Sequence, residues 1–310
     1  MRGNYAADAA RIGSALAAYE SAHGPLVGIS DPDARAALIE QIIDSEQRVL
    51  YFQRLESRAL DPESADPESL AFDPLRAALK HRDAGDFDEA VWLVFLFVHF
   101  GKHPRAGWRY ARDVYGALGQ GEPWTWERTA SDPTSFRFWL DTNQAALISG
   151  PGPRGFSNHR KYESLHAWSD AGTGSVVQSY VDWVLSAGGD HAERFSVAVA
   201  QSPEEAFDEL YRSMAGVRRF GRVARFDYLN ALRNLNLVDL RPPHSYIVGA
   251  TGPLRGARLL VNGDNTSGAA GELQKQLSEL SRETGLTPNV IEDAICNWQK
   301  SPAIYVRFSG

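Results

Sequence analysis

Between Arg212 and Arg225 the chain places five arginines, Arg212, Arg218, Arg219, Arg222 and Arg225, around two glycines, Gly216 and Gly221. A short turn containing glycine lets the next helix begin with bare backbone N–H groups. That is an anion-binding arrangement, and phosphate is its commonest partner. The two glycines permit close approach of a backbone, while Arg218, Arg219 and Arg222 supply charge at the same point. Val223, Phe226, Leu229 and Leu232 then form an apolar stripe at helical spacing, so the stretch reads as helix, glycine hairpin, helix. An ordinary arginine-coated helical turn is the plainer alternative.

Three further clusters carry similar chemistry. SNHRKYE puts Asn158, His159, Arg160, Lys161 and Tyr162 at an expected helix start after a glycine- and proline-rich loop. Such a group suits contacts to phosphates, a flipped base or its attached sugar, or else is a capped, solvated helix end. In FGKHPRAGW, Lys102, His103 and Arg105 suit a phosphate grip, and Trp108 is read as core. In GPLRGARLL, Gly252, Arg255 and Gly256 form either a second phosphate- or base-contacting turn or a plain tight turn. No metal is expected: His99 and His103 are four apart, but Gly101 and Pro104 interrupt that helix and no acidic partner motif is present. No motif calls for a cofactor.

The elements that must position these groups are mostly helical. Helical patterns run over 5–22, 33–60, 86–100, 105–118, 133–148, 159–168, 174–187, 203–214, 221–235, 270–284 and 287–300. The segment 86–100, DFDEAVWLVFLFVHF, is apolar nearly all round and should be a buried central helix. Strand signals are confined to SYIVGA (245–250), ARLLVNG (257–263) and AIYVRF (303–308). Neither sustained βαβ alternation, a P-loop, nor a GxGxxG after a strand occurs. The fold class is therefore mainly α, with a few short strands. The repeated DPES of 61–74 reads as a loop, which suggests an acidic helical region over 1–85 and a second domain over 86–310.

Composition sets outer bounds. The 310 residues are 43% apolar and 23% charged, ordinary for a globular protein. Cys296 is the single cysteine, which excludes a disulfide framework and favours a reducing setting. The longest strongly apolar run, 90–98, is too short to span a bilayer, and the N-terminus lacks a signal-peptide centre, so a cytoplasmic location with no membrane partner is expected. The formal charge of −7 is uneven: −8 over 1–90, +3 over 91–260 and −2 over 261–310. The basic centre is the part suited to a polyanion.

MAGVRRFGRVA resembles the helix-hairpin-helix element of base-excision DNA glycosylases. In that superfamily an essential Asp follows the hairpin by roughly twenty residues, often within a Val-Asp pair, and here Val238-Asp239 lies eighteen after Gly221. The inserted RRF lengthens the hairpin, and no Lys follows Gly221 where bifunctional members carry their nucleophile. The resemblance thus implies a helix-hairpin-helix, glycosylase-like helical fold and a monofunctional enzyme. A second resemblance covers about residues 90–300. HFGKHPRAGW (99–108), GFSNHRKYESL (155–165), FGRVARFDYL (220–229), GATGPLRGARLL (249–260) and EDAICNWQK (292–300) are similar to the α-glutamyl/putrescinyl thymine pyrophosphorylase family. That family is associated with hypermodified pyrimidines in phage DNA: some members are thought to transfer amino groups onto activated hydroxymethyluracil, and relatives act as anti-phage glycosylases.

These resemblances put first a DNA glycosylase that flips a hypermodified pyrimidine out of double-stranded phage DNA and hydrolyses its glycosidic bond as antiviral defence. Glucosylated 5-hydroxymethylcytosine is the base they point to. The alternatives are a transferase that displaces pyrophosphate from hydroxymethylpyrimidine DNA and a non-catalytic DNA-binding module. A glycosylase needs one carboxylate to activate water and stabilise an oxocarbenium-like transition state. Asp239 fits by its spacing from the hairpin, and Asp227 by its place in the FDY motif at the edge of the apolar stripe. A helix cap or an ion pair with a nearby Arg is the structural alternative for either.

Overall fold

The computed structural model describes residues 5–57 and 61–307. In chain order its helices are α1 (Tyr5–His23), α2 (Pro32–Glu56), α3 (Pro74–Asp83), α4 (Phe87–Phe100), α5 (Arg109–Tyr115), α6 (Trp126–Ser131), α7 (Pro133–Ile148) and α8 (Thr173–Leu185). They continue with α9 (His191–Phe195), α10 (Val197–Ala200), α11 (Pro203–Ser213), α12 (Arg222–Asn234), α13 (Gly252–Asn262), α14 (Ala270–Thr284) and α15 (Pro288–Trp298). The fold is mainly α, as expected. Among the described residues the β structure amounts to two isolated bridges, His103 with Gly107 and Ser164 with Gly172. No described helix is long and apolar enough to cross a membrane.

The chain divides into two compact units. One draws on Met1–Arg54 and Pro242–Ser309, the other on Leu55–Arg241. The boundary expected at 85/86 falls inside the second unit, between α3 and α4.

In the first unit, α1, α2, α13, α14 and α15 bury Ile12, Leu16, Leu38, Leu277, Ile295 and Trp298 in one core. The strand expected at 257–263 is instead the body of α13, followed by a left-handed Gly263. Pro253, Gly256, Ala257 and Leu260 are its buried residues, a helical period that outweighs the β-branched Val261. SYIVGA is not a strand either. Tyr246 has φ 47°, Ala250 N–H closes a turn onto Ile247 O, and Ser245 Oγ donates to Pro288 O. Residues 303–307 are likewise irregular, and residue 308, like 58–60 of the helix expected over 33–60, lies outside the described residues.

The second unit is built round α4, the apolar segment anticipated as a central helix. Ala90 to Leu96 are at most 1% exposed, and the Asp86 side chain caps the helix by accepting from Glu89 N–H. Phe95 stacks on Tyr180 of α8 at 3.8 Å between centroids and on Phe220 at 5.1 Å. Two polar groups are threaded through this core. Glu89 accepts from Tyr115 OH and Trp126 N–H, each at 2.6 Å; burial raises its pKa and these bonds oppose the rise. Asp88 accepts from His191 Nδ1 at 2.7 Å, and His191 Nε2, Tyr180 OH and Tyr228 OH continue the chain at 2.8 Å steps.

Candidate functional site

The irregular segment 149–165 gathers the functional motifs of the second unit. At its start, Pro151 O accepts from Arg109 Nη1 at 2.8 Å. Gly155 has φ 145° and so little room above it that an added Cβ would lie 3.0 Å from the His103 ring. Ser157 N–H donates to Phe100 O, and its Oγ would be 2.2 Å from a Cβ on Gly101, whose φ is 60°. Gly101, ending α4, is therefore obligatory. Farther on, Arg160 Nε donates to Val98 O at 2.9 Å, and Glu163 receives Arg219 of the hairpin. The helix expected over 159–168 reduces to a single 3-10 turn, Asn158–Arg160. Ser164 is held extended because its carbonyl accepts from both the N–H and the Oγ of Thr173.

That same carbonyl fixes a buried histidine. Thr173 Oγ1 donates to Ser164 O, so it accepts from His99 Nε2 at 2.9 Å. His99 is 2% exposed. Burial and the nearby Arg160 charge push its pKa down to about 3. It is a neutral structural residue with its proton on Nε2.

One end of the segment borders a cleft of about 460 Å³ lined by Arg76, Lys102, Arg105, Trp108, Arg109 and Arg112 among others. Its acid, Asp73, accepts from Leu75 N–H and from Trp108 Nε1. Arg109, Arg112 and Arg154 converge on one buried carboxylate, Asp113, at 3.4, 2.5 and 3.5 Å. Among the described residues no carboxylate lies within 4 Å of Arg76, Lys102 or Arg105. The cleft therefore carries uncompensated positive charge. His103 braces its rim: its Nδ1 accepts from the N–H of Arg105 and Ala106 at 3.2 and 2.9 Å. Trp108 is half-buried against Phe97, with ring centroids 5.1 Å apart. Arg76 and the Asp113 cluster escaped the sequence reading because they sit outside its motifs.

The other end meets the arginine hairpin. It has the expected helix, turn, helix form, α11 and α12 joined through a 3-10 turn at Met214–Gly216. Neither glycine has positive φ, and a Cβ on either would meet nothing within 4 Å, so packing within the fold does not require them. The left-handed residue is Arg219, φ 58°. It is held by Glu163 through two contacts of 3.1 Å and by Tyr162 O. Arg225 donates to Tyr211 O and lies 4.4 Å from that ring. Arg218 pairs with exposed Asp170 at 2.7 Å, and Arg212 with Asp208. Only part of the positive charge is thus directed outward. At the start of α12, Gly221 supplies no side-chain cap, and a Cβ on it would meet open space.

Asp227 and Asp239 are separated by this geometry. Asp227 is half exposed one turn inside α12, 3.5 Å from Arg160 Nη2. Arg160 is buried, which lowers its pKa, while Asp227 and Glu163 work in the opposite direction. Asp239 is exposed beyond the far end of α12, near Arg233. A helix of this length extends about 18 Å, so Asp227 belongs with the hairpin and Asp239 does not. Asn158, His159, Lys161 and Tyr162 are exposed, with Tyr162 at 77%.

The third cluster lies in the first unit and does other work. A Cβ on Gly256 would be 2.3 Å from Ile295 O, and one on Gly252 would be 2.8 Å from Cys296 Sγ. Both glycines let α13 pack on α15, leaving Arg255 exposed. Helix packing accounts for both glycines of this motif. In the same unit His23, Glu279 and Glu283 have ligand-type atoms within 4.8 Å of one another. Each ring nitrogen of His23 already faces a carboxylate, at 3.6 and 2.7 Å.

One family model matches, that of the alpha-glutamyl/putrescinyl thymine pyrophosphorylase clade 3, over residues 33–310. No curated protein and no solved structure matches the chain.

Proposed function

We propose a function from the premise that the chain belongs to the alpha-glutamyl/putrescinyl thymine pyrophosphorylase clade 3 family: it is a transferase acting on an activated hydroxymethylpyrimidine in DNA, displacing pyrophosphate in favour of an amine. This reading stands ahead of base excision, reversing the order taken from the sequence. The family's description names a pyrophosphorylase, and no observation on the described residues favours glycosidic hydrolysis over it.

In such a displacement the amine nitrogen bonds to the methylene carbon on C5 as the carbon–oxygen bond breaks. Pyrophosphate leaves with the electron pair, and the proton of the attacking amine passes to a carboxylate. The observation that carries the assignment is Asp227, one turn inside a helix whose first amides no side chain caps, with Arg160 beside it. Those amides and Arg222 stabilise the leaving phosphates, because preorganised donors aimed at developing charge lower the barrier most. Asp227 takes the proton. Asn158, His159, Lys161 and Tyr162 contact the displaced base. Lys102 and Arg105, with Arg76, hold the DNA backbone from the cleft, since phosphate contacts fix register without reading sequence.

The test uses DNA carrying diphosphorylated 5-hydroxymethyluracil, incubated with putrescine or glutamate. Release of pyrophosphate with a matching gain in oligonucleotide mass is the expected result. Release of a free base with an alkali-labile site, on this DNA or on glucosylated hydroxymethylcytosine DNA, would overturn it in favour of a glycosylase.

A further inference from the structure

Two large aromatic side chains of the second unit have no explanation in its packing. Phe138 on α7 is 59% exposed and Trp168 is 45% exposed, although such side chains are highly buried on average. Their rings meet edge to face, with centroids 5.0 Å apart and planes at 71°. The Arg137 guanidinium lies 4.5 Å from the Trp168 ring centre. It is itself fixed by donation to Ala167 O at 3.0 Å and Ser175 Oγ at 3.4 Å.

The loop bearing Trp168 is held closed rather than left slack. Gly172 N–H donates to Ser169 O and Gly174 N–H to His166 O. A Cβ on either glycine would come within 2.2 Å of a carbonyl oxygen, that of His166 or Ala167. A loop constrained this tightly presents an apolar ring to water by construction. Two residues beyond Trp168, Asp170 accepts from Arg218 at 2.7 Å, which ties the aromatic surface to the arginine hairpin. A half-exposed ring with a fixed guanidinium beside it suits an unstacked base.

We infer that Trp168 and Phe138, with Arg137 against one ring face, form a stacking platform for an unpaired nucleobase of a DNA strand. The inference rests on the DNA-directed reading above and extends it: the strand engaged here is locally open, not a closed duplex.

The experiment measures fluorescence anisotropy of labelled single-stranded DNA, the matched duplex and a duplex with a short central gap, all at one salt concentration. Wild-type protein is compared with Trp168→Ala, Phe138→Ala and Trp168→Phe, each checked for an unchanged melting temperature. Trp168→Ala is expected to weaken binding to the single strand and gapped duplex about ten-fold, with the closed duplex within about two-fold and Trp168→Phe near wild type. Equal binding by wild type and Trp168→Ala, or an equal loss on all three DNAs, overturns the platform. A change in sedimentation of Trp168→Ala with no change in DNA binding overturns it in favour of self-association. Failure of the wild type to bind any of the DNAs overturns the DNA-directed reading itself, a result separate from loss of the platform alone.

Discussion

Two stretches of this chain look alike on paper and differ in space. VRRFGRVARF and GPLRGARLL each set glycine among arginines at a helix start. At Gly221 the missing side chain faces open space and the helix it opens has no side-chain cap. At Gly256 it leaves just enough space for the Ile295 carbonyl of a neighbouring helix. The helix opened by Gly221 also carries Asp227 one turn in, while α13 contains no acid at all. The lesson is physical: a glycine marks the absence of a Cβ, and only the atom facing that absence tells whether a ligand or the protein itself fills it.

Substitution at the packed glycine should have the largest effect. Gly256→Leu forces backbone apart and is expected to cost about 3 kcal/mol, read as a lowered urea midpoint. A midpoint within error of wild type would mean that α13 and α15 are not in the close contact described. Next comes chemistry. Asp227→Asn is expected to lower turnover about 100-fold with an unchanged melting temperature, while Asp239→Asn stays within about three-fold. Comparable losses for the two would erase the distinction between the ends of α12.

The sequence made some of this legible and hid the rest for definite reasons. The α4 segment announces itself because a helix apolar on all sides has nowhere to go but the core. Thr287-Pro288 likewise marks the start of α15, whose first helical residue is Pro288. Local pattern failed where distant partners decide. Ser164 is extended because of Thr173, so the helix expected over 159–168 never forms. The joining of residues 242–307 with 5–54 has no local signature, and neither does the association of Arg76 with Lys102 and Arg105. Counting along the chain offers Asp239 and the FDY motif offers Asp227, with nothing local to separate them; what separates them is Arg160, sixty-seven positions before Asp227.

Acid should also separate the two units. His99 in the hairpin unit is fully buried and neutral, with a folded pKa of about 3, against about 6.5 when unfolded. Between these values the unfolded chain binds the extra proton, so stability rises with pH. The contribution is complete above about 6.5 and is lost as pH falls through that window. His99 alone contributes on the order of 2 kcal/mol between pH 7 and 5, and His191, whose pKa burial also lowers, acts in the same direction. Hydrogen exchange at the two pH values should show protection falling more in α4 and α8 than in α1 and α14. An equal fall in all four would assign the acid sensitivity elsewhere.

The smallest effect is the most discriminating. Gly221→Ala adds one methyl group where the structure has open space and a backbone, φ −68° and ψ −172°, that any residue adopts. As an N-cap change it should cost under about 1 kcal/mol of stability, in contrast to any enlargement at Gly256. Yet the methyl group stands beside the amides proposed to receive phosphate, so pyrophosphate should bind about two- to five-fold more weakly, measured by calorimetry on the intact protein. Unchanged binding would leave the hairpin glycine without a role in either folding or anion recognition. The anion would then have to be sought at the cation-lined cleft, where Arg105→Ala in the same assay would locate it.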